Sequence, residues 1–83
     1  MNSYEQINQR ISNKLHTPPG MKLSVVWRQY VSAVEDEIPE ISKWNAALAK
    51  SFVEMKKREV VKFFNATIDG KYIKFSDGSQ ARY

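Results

Sequence analysis

The chain has 83 residues and no cysteine. Disulfides, thiolate-bound zinc, iron–sulfur clusters and thiol catalysis all need that sulfur, so they are excluded together. Glycine occurs only at Gly20, Gly70 and Gly78, and no glycine-rich loop is present to cradle a phosphate. The one histidine, His16, lies beside Pro18 and Pro19. Ser12 could share its helical face, but a nucleophilic site also needs an orienting carboxylate, and the only acid in that region is Glu5. The longest uninterrupted aliphatic stretch is residues 46–49, against the ~20 residues a membrane span requires. The opening MNSYEQINQR lacks the apolar core of a signal peptide. These features point to a cytoplasmic, non-enzymatic protein. Asn65-Ala66-Thr67 matches a glycosylation sequon, which carries no meaning without an export signal.

The acids Glu35, Asp36 and Glu37 are consecutive. On a helix they point in three directions, whereas calcium loops use alternate ligands and a glycine. No metal and no cofactor are expected.

What is present reads as one small domain, since the chain is too short for two cores. Its 42% hydrophobic and 27% charged residues are a globular rather than a disordered composition. The net charge of +4 is unevenly placed. Residues 1–40 hold four basic and five acidic groups; residues 41–83 hold nine and four. The positive excess belongs entirely to the second half.

Hydrophobic spacing supplies the elements. Tyr4, Ile7, Ile11 and Leu15 line one face of a helix over 3–15. Ser3 and Gln6 form a capping-box pair at its start. Pro18 ends it near His16 by pushing Thr17 out of the α region. A second stripe of Leu23, Trp27, Tyr30, Val31, Val34 and Ile38 predicts a helix over about 22–37, with Ser24 as its cap. The alternative is an earlier start at Thr17 and Pro18. Pro39 suits the first turn of a third helix, whose core stripe is Ile41, Trp44, Leu48, Phe52 and Met55. Glu35, Asp36 and Glu37 would oppose the dipole at the end of the second helix, so they have another use or that helix stops before them.

After Met55 the stripe fails, and Val53, Val60 and Phe64 continue on a rotated face. Either the third helix runs on to about Asn65, or it stops near Arg58 and residues 60–68 form a strand. Helical spacing favours the first. Asp69-Gly70 and Asp77-Gly78 are tight-turn dipeptides, and the natural reading of the tail is a hairpin of residues 71–75 and 80–83. A strand at 60–68 would extend it to a three-stranded meander. The expected fold is thus mainly α (α+β): three helices and a short C-terminal β-hairpin.

Two surfaces compete for function. The rotated face of Val53, Val60 and Phe64 exceeds what one neighbouring helix needs. With Lys57, Arg58 and Lys62 as a charged rim, it predicts a protein contact, to a second copy in a homodimer or to another protein. Trp27 and Trp44 are expected in the core. The alternative is direct DNA or RNA binding by Lys50, Lys56, Lys57, Arg58, Lys71 and Lys74, with Tyr72 and Phe75 interleaved for stacking on unpaired bases. The short, cysteine-free format is similar to that of accessory regulators of phages and plasmids. That resemblance implies a small regulatory module acting on a transcription-regulating or nucleic-acid-handling partner. No small-molecule substrate and no membrane are expected as partners.

Overall fold

The computed structural model describes residues 4–83. Its elements are helix α1 (Tyr4–Ser12) with a 3-10 turn (Asn13–Leu15), then α2 (Leu23–Asp36), α3 (Ile38–Trp44) and α4 (Ala46–Phe63). Strands β1 (Thr67–Asp69), β2 (Tyr72–Lys74) and β3 (Gln80–Arg82) follow. The expected mainly-α class is the observed one, with four helices in place of three and three strands in place of two. The proposed Ser3 cap of α1 lies outside the described residues.

Along α1 and its 3-10 turn, Ile7 and Ile11 are fully buried and Tyr4 and Leu15 pack partly on the core, the stripe the spacing predicted. Arg10, exposed on the flank of this stripe, reaches across to Glu37. Its Nη2 donates to both carboxylate oxygens at 2.7 and 2.8 Å, and its Nε donates to Oε1 at 2.9 Å. This fork fixes α1 against the α2–α3 corner and gives Glu37 its use. The carboxylate of Glu37 is turned to a partner in another helix.

The third predicted helix is interrupted at Asn45, which closes α3 and caps α4. Its N–H donates to the Ile41 carbonyl at 2.8 Å, its backbone leaves the helical region (φ −157, ψ 87), and its Oδ1 accepts from the Leu48 N–H at 2.9 Å. Asparagine is among the best residues for this, because its short side chain replaces the missing helical acceptor. The break changes the helical phase, so Trp44 does not continue the stripe of α4. It is 46% exposed. The expectation that it lies in the core is corrected.

The segment 60–68 divides between the two readings. α4 continues through Phe63 and then stops at a Schellman motif. Asn65 adopts φ +51, its N–H donates to the Lys62 carbonyl, and the Ala66 N–H donates to Val61. Thr67, Ile68 and Asp69 then form β1. The sheet is a meander in the order β1-β2-β3. Ile68 stands opposite Ile73 and Ile73 opposite Ala81; Asp69 faces Tyr72, and Tyr72 faces Arg82. Gly70, at φ +62 in the first place of the two-residue turn after Asp69, fits a type II′ hairpin.

One face of this sheet closes the core. Ile73, Phe75 and Ala81 are buried there with Trp27, Tyr30, Phe52 and Val60. Trp27 lies against Tyr83 (ring centroids 5.5 Å apart, stacked) and Phe75 (6.2 Å), and its indole N–H donates to the Arg82 carbonyl at 3.0 Å. Phe75 meets Phe64 edge-on at 6.1 Å. Such ring pairs add ~0.5–1.5 kcal/mol each beyond the area they bury.

The turn before β3 also caps α2. The first two N–H groups of a helix have no partner within it. Here Leu23 donates to Asp77 Oδ2 at 2.7 Å and Ser24 donates to Ser79 Oγ at 3.1 Å. Lys22 occupies the cap position and makes no side-chain cap, so Ser24 is not the cap the sequence suggested. The cap arrives from residues over fifty positions away. The Leu23 N–H, with Ser79, holds the Asp77 carboxyl below the usual carboxylate range.

Candidate interaction surface

The residues expected to make a protein contact separate in three dimensions. Val60 is 1% exposed and belongs to the core, which removes it from any contact surface. Val53 and Phe64 are half-buried and pack on the same core. On that side α2 packs along α4, Phe75 meets Phe64 and Tyr83 lies against Lys57, so the apolar surplus is met within the chain. The face that looked like an interface is the second half of the core.

Lys56 is corrected as well. It is 6% exposed, too deep to reach a phosphate. Its Nζ pairs with Glu59 at 3.2 Å and lies 5.5 Å from the ring centres of both Tyr4 and Phe52. A buried ammonium needs such company, one carboxylate and two aromatic faces, to offset lost hydration. Tyr30, also buried, is pushed up to about 12 by burial and then by the charge of Glu59.

The other cations remain on the surface. Arg58 and Lys62 stand one turn apart on the outer side of α4, and Lys50 is exposed nearer its start. Arg58 Nε donates to Glu54 at 3.3 Å, and Tyr83 Oη donates to the same carboxylate oxygen at 3.2 Å. Burial, and next the bond to Glu54, raise the Tyr83 hydroxyl above its ordinary value. Lys57 lies over the Tyr83 ring at 5.1 Å. On the sheet, Lys74 pairs with Asp69 at 2.9 Å, and Lys71 is exposed in the turn. Phe75 is buried while Tyr72 points outward, 48% exposed, beside Arg82. Of the two aromatics suggested for stacking, only Tyr72 is accessible.

These elements leave an open groove where α4 and β1 diverge. It is lined by Glu54, Arg58, Val61, Lys62, Ile68 and Tyr83. Ile68 is 44% exposed, and Phe63 at the helix end is 66% exposed. A second shallow depression runs along the other side of the Glu54, Arg58 and Lys62 row, floored by Met55. The apolar groove members Val61 and Ile68, and the exposed Phe63 at the helix end, were missed by sequence reading. Ile68 and Phe63 have the residue type and spacing of core positions; only the shortness of the sheet and the end of the helix expose them. Among the described residues, no group of three or more His, Asp or Glu is placed to hold a metal ion, and no helix is long and apolar enough to cross a membrane.

Compared with known proteins, the chain matches no family model, no curated protein and no solved structure.

Proposed function

We propose that the protein is a small non-enzymatic regulatory binding module, cytoplasmic, that acts by protein–protein contact on a transcription-regulating or nucleic-acid-handling partner. The observation that carries this reading is a groove in which exposed Ile68 and half-buried Val61 are bordered by Arg58 and Lys62 on the outer side of α4, with a second exposed apolar residue, Phe63, at the helix end. Apolar groups give a contact its affinity, and a rim of one charge sign steers a partner of the other sign. A photo-crosslinking residue at position 62 should trap one discrete protein in the cells that carry this chain, and the same residue at position 29, on α2, should not. Equal labelling from both positions, or none, sinks the proposal.

Direct nucleic-acid binding is the second reading, supported by the outward Tyr72 next to Arg82. Without Lys56, the available cations are Lys50, Lys57, Arg58, Lys71 and Lys74, and three of these already have partners in Tyr83, Glu54 and Asp69. This reading requires retention on heparin and an affinity for single strands that falls steeply with salt. No shift of any oligonucleotide at ~50 mM salt would overturn it.

A further inference from the structure

The two edges of the sheet are treated differently. Strand hydrogen bonds alternate between neighbours. The type II′ turn pairs Asp69 with Tyr72, and the Tyr83 N–H donates to the Lys71 carbonyl at 2.9 Å on the other side of β2. The alternation therefore turns the main-chain groups of Arg82 outward from β3, and there the Trp27 indole takes the carbonyl. On β1 it turns the N–H and C=O of Ile68 outward, and all three residues of β1 are exposed. One edge is capped and the other is open. An open edge is a template for another strand, which proteins usually cover or blunt.

The groove lies directly beside that open edge. A strand added to β1 would send alternate side chains into the groove, where an apolar one meets Val61 and Ile68 and acidic ones on either side of it meet Lys62 and Arg58, while the side chains between them face solvent. Charge identifies the occupant. Glu54 is engaged by Arg58 and by the Tyr83 hydroxyl, whereas Lys62 has no ion-pair partner among the described residues. The rim is thus positive. A second copy, with the same net charge of +4, would bring like charges together. We infer that the β1 edge and its groove accept an extended, acidic segment of a partner protein as a fourth strand. This rests on the protein-contact reading above and specifies the chemistry of that partner.

The test uses the full chain and a fluorescent heptapeptide, Ser-Asp-Ser-Val-Ser-Asp-Ser, whose aspartates and central valine share one strand face. Three probes accompany it: a lysine–valine counterpart, the acidic peptide N-methylated at its central valine, and single-stranded oligothymidylate. The acidic peptide should bind at least about tenfold more tightly than the lysine peptide at low salt. N-methylation, which removes one strand hydrogen bond, should weaken it by about tenfold. The amide of Ile68 should shift in NMR spectra and gain protection from exchange. Lys62→Glu with Arg58→Glu should reverse the preference between the two peptides while far-UV dichroism stays unchanged. Equal affinity for both peptides, indifference to N-methylation, or tighter binding of oligothymidylate would each overturn the inference. If these fail while crosslinking at position 62 still traps one protein, strand addition is wrong and protein contact stands. If both fail, both readings fall.

Discussion

Substituting aspartate at Val60 and at Phe63 should give opposite results, although the sequence makes the two residues look alike. Val60 is 1% exposed, within the core. Val60→Asp forfeits ~1.5–3 kcal/mol of apolar burial. It also leaves a carboxylate without a partner in the core, which costs several kcal/mol more unless the group takes up a proton. A domain of this length holds about 4–12 kcal/mol of stability in total, so this one change removes most or all of it. Phe63 is 66% exposed and meets Phe64 edge-on at 5.0 Å. Phe63→Asp loses a minor share of the burial and the ring pair, and sets a carboxylate against the negative end of the α4 dipole, for about 1–2 kcal/mol together. Urea unfolding followed by far-UV circular dichroism reads both. The expected result is a folded, slightly weakened Phe63→Asp and a Val60→Asp that is unfolded or nearly so in buffer. A folded Val60→Asp with an unchanged midpoint would refute the core assignment and restore Val60 to the surface.

Three further outcomes follow from the geometry. Asn65→Gly should leave stability near that of the parent, whereas Asn65→Ala should cost ~1 kcal/mol, because a residue with a Cβ is disfavoured in the left-handed conformation that ends α4. The Asp77 carboxyl is held below its ordinary value of 3.8 in the folded state. Its stabilisation is therefore present above that value and lost as pH falls through the lower folded one. Asp77→Asn should lower the melting temperature at neutral pH and flatten the acid limb of stability against pH. Tyr30 ionises at about 12 rather than 10.0. The stabilisation is complete below 10.0 and is lost as pH rises towards 12, so an ultraviolet phenolate titration should show, apart from the raised Tyr83, a component near 12 that Tyr30→Phe removes.

The sequence by itself determined the class of fold and most element positions. Periodic spacing is a local property, and Ile7, Ile11, Trp27, Tyr30 and Val34 are buried where their spacing put them. Pro39 and Gly70 fix backbone geometry through their own covalent structure, and the helix start and hairpin turn fall beside them. The breaks at Asn45 and Asn65 also had a signal in asparagine, the residue suited to an N-cap and to positive φ. That signal stayed ambiguous, because asparagine is tolerated within helices too.

Tertiary structure alone decided which face of α4 is core. Periodicity shows that a face is apolar but not what covers it. Val60 is closed into the core and Phe75 meets Phe64, while the outer row of Arg58 and Lys62 is left to solvent. The same packing brought Asp77 to the start of α2 and Tyr83 over Trp27. These pairings join distant positions and leave no periodic trace in the sequence. The open edge at Ile68 is likewise a property of the assembled sheet: three short strands close one end of the core, and the first of them has a neighbour on one side only.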